Sequence, residues 1–264
     1  MVFGRLLQRQ QPAAATFPDG RVGFAVGDIH GRSDLLHDLL MLLEERAGDE
    51  QRVGGPPMVI FLGDYVDRGP DSPGVLDLLL SGRPAGYERR YLKGNHEQYM
   101  LAFLEAPLEN RAWVVQGGAE TLISYGVQPP APRGASGEEW LSAAEALRAA
   151  IPQAQLEFLQ GLERYVALGD YAFVHAGVDA ARSLEEQTDE DLFWSRERFI
   201  ASKRPFSHRI VHGHTPVERP YVDSRRIAVD TGAYASGTLT AARFEGAEVS
   251  FVSVSDRQRR LARR

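Results

Sequence analysis

Residues 58–69 read MVIFLGDYVDRG. Met58 to Leu62 form a short, continuous apolar run that stops at a glycine, and this pattern reads as a buried strand. Gly63 permits a tight turn, so the next side chain, Asp64, can leave the core. The same arrangement recurs on either side. RVGFAV (21–26) is a second short apolar strand ending at Gly27-Asp28, and RRYLKG (89–94) reads as a third, delivering Asn95. Two helical stretches separate them. In SDLLHDLLMLLEER (33–46), Leu35, Leu36, Leu39, Leu40 and Leu43 recur at helical spacing behind Ser33 as N-cap. Ser72-Pro73 reads as an N-cap followed by a first-turn proline, opening a helix with Leu76, Leu79 and Leu80 as its buried stripe. EQYMLAFLEA (97–106) continues as a third helix. Alternating strands and helices predict an α/β sheet covered by helices. Such sheets take their ligands beyond the carboxyl ends of the strands, so the polar groups after each glycine should converge on one rim.

The second half is richer in strands: YAFVHAG (171–177), RIVHGH (209–214), RIAVDTG (226–232), TLTAARF (238–244) and VSFVSV (249–254), the last two forming a hairpin around EGAE. Residues 107–165 differ. They carry the proline-rich stretch QPPAPRG (128–134) and two helical segments near 138–150 and 152–162, the second starting at Pro152, and read as a helical insertion on the sheet. The expected layout is an N-terminal extension over 1–20, one domain over 21–256 containing that insertion, and a basic tail over 257–264.

The chain has 264 residues, enough for one substantial core, and a net charge of -6. That surface gives no general attraction to nucleic acid or an anionic membrane. The basic tail reads as solvated surface. Arg5 and Arg9 interrupt the N-terminal apolar residues, so no signal peptide is expected there, and no run of about 18 apolar residues suggests a membrane span. A cytoplasmic, weakly monomeric protein is the expectation. Cysteine is absent, which excludes disulfides, thiolate metal sites and a cysteine nucleophile. Any metal has to be held by carboxylate, imidazole, amide or carbonyl groups.

Five polar motifs punctuate the strands: GDIHG (27–31), GDYVDRG (63–69), GNHE (94–97), HAG (175–177) and HGHTP (212–216). Oxygen and imidazole donors suit manganese, iron or zinc. A pair of cations about 3.5–4 Å apart can clamp the attacking and leaving oxygens of phosphoryl hydrolysis, and needs a shared carboxylate to offset their repulsion. The order and spelling of these motifs resemble the calcineurin-like metallophosphoesterases, and more narrowly the serine/threonine protein phosphatase family in its small bacterial and phage form. The resemblance runs from residue 22 to about 232, with GDYVDRG and GNHE its most specific parts.

The resemblance implies a central β-sandwich of mixed sheets flanked by helices, with the active site at the carboxyl ends of the strands. It implies two divalent cations, manganese first, with iron or zinc as alternatives. Asp28 and His30 would bind one cation, Asp64 would bridge, and Asn95, His175 and His214 would complete the other. A metal-bridging hydroxide would attack phosphorus, His96 would protonate the leaving oxygen and Asp67 would orient His96. Arg68 and Arg196, the latter from WSRER, would hold phosphate oxygens, and Asn95 would help place the substrate. His212 is read as supporting the site from behind or as structural. Asp230 either bonds a ligand or serves a turn, and Glu97 braces its loop. Phosphoserine and phosphothreonine in proteins or peptides are the expected substrates. Symmetrical diadenosine tetraphosphate hydrolysis and broad phosphomonoesterase activity are the alternatives. A non-catalytic scaffold on the same fold is a third reading, which the full set of ligands and acid disfavours.

Overall fold

The computed structural model describes residues 14–18 and 20–258. Most of the expected N-terminal extension and of the basic tail lies outside the described residues. The first sheet contains β1 (Val22–Val26), β2 (Met58–Phe61) and β3 (Glu88–Tyr91), all parallel, joined through α1 (Ser33–Glu50) and α2 (Ser72–Leu80). α3 (Asn95–Glu105) follows β3. The hairpin of β9 (Thr238–Glu245) and β10 (Glu248–Ser255) completes this sheet antiparallel to β1, in the order β10-β9-β1-β2-β3. The second sheet contains β4 (Val166–Leu168), β5 (Tyr171–Phe173), β6 (Arg209–His212), β7 (Tyr221–Val222) and β8 (Arg226–Ala228), in the order β4-β5-β6-β8-β7. Its three central strands are parallel and its two edges antiparallel.

Side-chain alternation explains how the sheets stack. In the run Met58 to Leu62, Met58, Ile60 and Leu62 face Phe173, Val211 and Ile227 of the second sheet. Val59 and Phe61 face the opposite way, into a layer shared with Leu35, Leu39, Leu43 and Leu76 of α1 and α2. A strand buried on both faces has no polar side, which is why its sequence is continuously apolar. Phe244 stacks on Phe17 and meets Phe173 edge-on, with centroids 5.9 and 5.5 Å apart, between the sheets. Burying each such side chain contributes ~1.5–3 kcal/mol. A third cluster, with Leu192, Phe193 and Phe199 from α7 (Asp189–Trp194) and α8 (Glu197–Ala201), covers the outer face of the second sheet. The β-sandwich flanked by helices is therefore as expected.

Residues 107–165 form α4 (Ala119–Ser124), α5 (Gly137–Ala150) and α6 (Gln153–Gln160). Trp140, Leu147 and Leu159 of this stretch enter the same core as α1 and α2. Several local expectations are corrected. Asp71, not Ser72, caps α2 by accepting the Gly74 N–H at 3.0 Å. Ser33 lies inside α1 and donates to Asp71, while Arg32 takes the cap position without a side-chain bond. β3 ends at Tyr91 because the Lys93 N–H turns away to Glu163 O at 2.8 Å. α3 begins at Asn95, two residues before the expected start. β5, β6 and β8 each stop before their expected ends, since the following residues bend into the rim. No helix among the described residues is long and apolar enough to cross a membrane.

Candidate metal centre

The turns after β1, β2 and β3 deliver Asp28, Asp64 and Asn95, and those after β5 and β6 deliver His175 and His214 from the other sheet. All five are buried. Backbone strain collects in the same place. Among the described residues, the non-glycine positions with left-handed backbone are His30 (φ 47°), Asp64 (φ 54°), Asp67 (φ 73°), Arg68 (φ 65°) and His214 (φ 60°). Every one was singled out from its motif. Such conformations cost on the order of 1–3 kcal/mol each and persist where surrounding contacts over-determine them, characteristically at functional sites.

Two groups of side chains bring ligand atoms within 4.8 Å of one another: His30 with Asp64 and His96, and Asp64 with His175 and His214. Asp64 belongs to both. Its Oδ2 lies 3.4 Å from His30 Nε2 and 4.0 Å from His96 Nε2, and its Oδ1 lies 3.4 Å from His175 Nε2. Asn95 Oδ1 lies 3.0 Å from His175 Nε2, and His214 Nδ1 lies 3.2 Å from the same atom. Asp28 falls outside both groups and accepts the His214 backbone N–H at 3.1 Å on each oxygen. The donor set fits divalent cations. His30 and His175 each point Nδ1 at a backbone carbonyl 2.8 Å away, Val66 and Leu62 respectively, which fixes Nε2 toward the site. Metal-binding histidines are commonly oriented in this way.

The charges respond to one another. Burial acts to raise the Asp64 carboxyl, but His175, His96 and His30 around it prevail and hold it well below the usual carboxylate range. Burial acts to lower His175, but the Asp64 charge and hydrogen bond push it up to about 10. Burial drives His30 down to about 3. Burial, and then the Asp230 charge, push Asp28 well up.

His96 sits in the first turn of α3, its N–H donating to Asp64 Oδ1 at 3.1 Å. Its Nδ1 is 2.7 Å from Asp67 Oδ2, while its Nε2 is buried without a hydrogen-bond partner. Burial opposes its charged form, yet Asp64 and Asp67 together raise its pKa above the ordinary value. The guanidinium groups of Arg68 and Arg196 lie over the site. Arg68 NH1 is 3.1 Å from His30 Nε2, and Arg196 Nε donates to His214 Nε2 at 2.9 Å.

Three residues with open readings separate. His212 lies outside both ligand groups, against the Phe199 ring and with Nε2 3.1 Å from Arg226 NH1. Burial first, with Arg226 adding to it, lowers its pKa to about 3. Asp230 accepts the Gly232 N–H at 2.8 Å, a turn role, while its charge also acts on Asp28. Glu97 braces the loop: its carboxylate accepts the N–H groups of Asp64, Tyr65, Val66 and Gly94. Sequence reasoning missed three neighbours. Trp113 and Thr121 bond the Asp67 carboxylate, and Tyr234 of α9 (Ala233–Ser236) lies with its ring 5.1 Å from the Arg68 guanidinium and 5.3 Å from the His30 ring. None sits in a recognisable motif. The paired glycines 117 and 118 within an otherwise helical stretch were the one available signal.

The calcineurin-like phosphoesterase family model matches residues 24–244. Serine/threonine-protein phosphatase 1 of Salmonella typhimurium is 29% identical over 231 residues, covering 84% of this chain and 91% of that one. A bis(5'-nucleosyl)-tetraphosphatase PrpE (asymmetrical) of a Geobacillus species is 29% identical over 243 residues, covering 87% and 92%. Among solved structures, one named as a candidate diadenosine tetraphosphatase aligns with a TM-score of 0.59 at 20% identity, over 90% of this chain and 95% of that one. A cold-active protein tyrosine phosphatase aligns with a TM-score of 0.52 at 18% identity, over 90% and 81%. The two structures show likeness of fold. Since the family model spans every strand and turn that carries a candidate ligand from Asp28 to His214, this chain belongs to the calcineurin-like phosphoesterase family, metal-dependent hydrolases on a fold that binds divalent cations.

Proposed function

We propose that this chain hydrolyses phosphoserine and phosphothreonine monoesters in proteins. The observation that carries this reading is the His96–Asp67 pair at 2.7 Å beside the carboxylate common to both ligand groups. An alkoxide is a poor leaving group, and a positioned acid contributes ~10²–10⁴ in rate to its departure. Two divalent cations, one held by Asp28, His30 and Asp64 and the other by Asp64, Asn95, His175 and His214, supply Lewis acidity and an activated water when bound. His96 holds its acidic proton on Nε2, because Nδ1 is committed to Asp67, and gives it to the leaving oxygen as the P–O bond breaks. Arg68 and Arg196 move from their imidazole contacts onto the phosphate oxygens, whose geometry matches the guanidinium fork. Asn95 orients the ester. Manganese is the proposed metal, iron and zinc being compatible with the same donors. The proposal includes a single domain over 21–256 and a cytoplasmic monomer.

A second reading, hydrolysis of dinucleoside tetraphosphates, is favoured by the half-exposed Tyr234 ring beside Arg68, a surface on which a nucleobase can stack. The relatives named PrpE carry the asymmetrical designation, so asymmetrical cleavage stands beside the symmetrical reaction as the alternative. Manganese-loaded enzyme assayed on a phosphothreonine peptide and on diadenosine tetraphosphate decides between them. A larger kcat/KM on the peptide, lost in His96→Asn, is expected. A larger value on the dinucleotide would overturn the substrate and keep the site.

Cation uptake has its own signature. In the metal-free protein His175 keeps a proton up to about pH 10 that a cation must displace. Binding at neutral pH should therefore release a proton, and affinity should rise as pH rises. Calorimetric titration of manganese into chelator-stripped protein, in two buffers of different ionisation enthalpy, reads this directly. Heats independent of the buffer would show that no proton is displaced and overturn the protonated His175 of the metal-free protein.

A further inference from the structure

The helical insertion supplies two of the three hydrogen bonds on the Asp67 carboxylate. Its Oδ2 accepts from His96 Nδ1 at 2.7 Å and from the indole Nε1–H of Trp113 at 2.8 Å, and its Oδ1 accepts the Thr121 hydroxyl at 2.6 Å. The hydroxyl proton of Thr121 is thereby committed. Its oxygen is left to accept the Asp67 backbone N–H at 2.9 Å and the Ser72 hydroxyl at 3.0 Å. Every group in this network is buried, and the Asp67 backbone N–H is shared with Ser72 Oγ at 3.2 Å. The same segment reaches Arg68, whose N–H donates to Gly117 O at 3.0 Å.

The path of the chain makes this possible. Gly117 has a φ of 123° inside the turn formed by Val114–Gly118, where an L side chain is strained. A Cβ on Gly118 would come within 2.4 Å of the Trp113 ring, so the glycine lets the indole lie flat against the backbone. Phe103 packs on its other side at 4.8 Å. Trp113 is thus clamped in one rotamer with its N–H aimed at the carboxylate.

We propose that Trp113 and Thr121 are positioning residues for proton transfer, acting through Asp67 on His96. This rests on the reading of His96 as the acid. With both donors in place the carboxylate cannot rotate, and Oδ2 stays on Nδ1, which keeps Nε2 facing the leaving oxygen. A carboxylate free to turn would leave the imidazole able to flip or tilt, and misplacement of this kind falls on the step that needs the proton.

Leaving-group dependence separates this role from general damage. Phenol titrates near 10, as tyrosine does, whereas p-nitrophenolate is a far better leaving group and departs with little help. In manganese-loaded Trp113→Phe and Thr121→Val, kcat on phenyl phosphate should fall ~10-fold or more while kcat on p-nitrophenyl phosphate falls less than ~3-fold and KM holds. Thr121→Ser, which restores the hydroxyl, should recover most of the loss. Equal losses on both esters, or no loss on either, would overturn the proposal. His96→Asn is the reference: if it shows no such dependence, the acid assignment itself fails, independently of Trp113 and Thr121. A readout without turnover is the NMR signal of the His96 Nδ1 proton in histidine-labelled, metal-free protein. Its exchange with water should accelerate in both variants, and unchanged exchange would count against the clamp. Should Trp113→Phe not fold, Thr121→Val with its serine rescue carries the test alone.

Discussion

Replacing Asp64 by asparagine should lower turnover by ~10³-fold or more, since metal-centred charge stabilisation supplies several kcal/mol and each ~1.4 kcal/mol is tenfold. Asp64 is the one residue shared by both ligand groups, with imidazole nitrogens 3.4 Å from either oxygen. Asparagine keeps the shape and loses the charge that would bridge two cations. Elemental analysis should show reduced metal in the variant, and steady-state assays the loss of rate. A variant that keeps wild-type metal content and turnover would remove Asp64 from the centre. Stability in the metal-free state provides a second check. The lowered Asp64 pKa gives stabilisation present above the unfolded carboxyl value of ~4, and the raised His175 pKa gives stabilisation complete below the unfolded imidazole value of ~6.5. The pair therefore contributes fully between those values, and its contribution is lost as pH rises through the folded His175 pKa of about 10. Metal-free Asp64→Asn should be destabilised most near pH 5–6, with the difference from wild type narrowing in strong alkali.

The second large effect falls on Glu97, which touches no substrate. One carboxylate oxygen accepts the Tyr65 and Val66 N–H groups at 2.7 and 3.3 Å, and the other accepts those of Asp64 and Gly94 at 2.9 Å each. Burial and the Asp64 charge push its pKa up to about 7, against the His175 charge and the Gly94 and Tyr65 N–H groups, which favour the carboxylate. In Glu97→Gln, whichever way the amide turns, its NH2 meets two backbone N–H groups. Buried donors left unpaired cost ~1–3 kcal/mol each, so a loss of about 3 kcal/mol is expected. For a domain of this size that corresponds to a fall in Tm of roughly 6–12 °C. Because these bonds hold Asp64 in its left-handed backbone, kcat should also fall, by ~10²-fold, as expected when ligands shift by about 1 Å. Calorimetry and steady-state assays read the two effects. A wild-type melt would show that the carboxylate is not what pins the loop.

The strands around the site were legible because each is short, apolar and closed by a glycine. Burial on both faces left Met58 to Leu62 no polar position, so the run stood out. Their ends were less legible. Whether Lys93 pairs with a strand or with Glu163 depends on a segment 70 residues away in sequence, and no local pattern carries that. The caps of α1 and α2 were misassigned for a related reason. Ser33 and Ser72 have good cap chemistry, but Asp71 already receives Ser33 and caps α2 itself. The two histidines of HGHTP were separable only in space. His212 ends β6 buried against Phe199, and the left-handed backbone of His214 accompanies a side chain grouped with Asp64 and His175.

The family resemblance supplied His175, His214 and the pairing of His96 with Asp67; residue chemistry and spacing alone determined the α/β class and the convergence of Asp28, Asp64 and Asn95. These are local: a strand exit and one or two polar residues behind it. Tertiary structure decided the rest. It joined Trp113 and Thr121 to Asp67 across 46 and 54 residues and brought Tyr234 to Arg68. Hydrogen bonds and charge couplings act through distance in space, and only the packed sheets and the inserted helices set those distances.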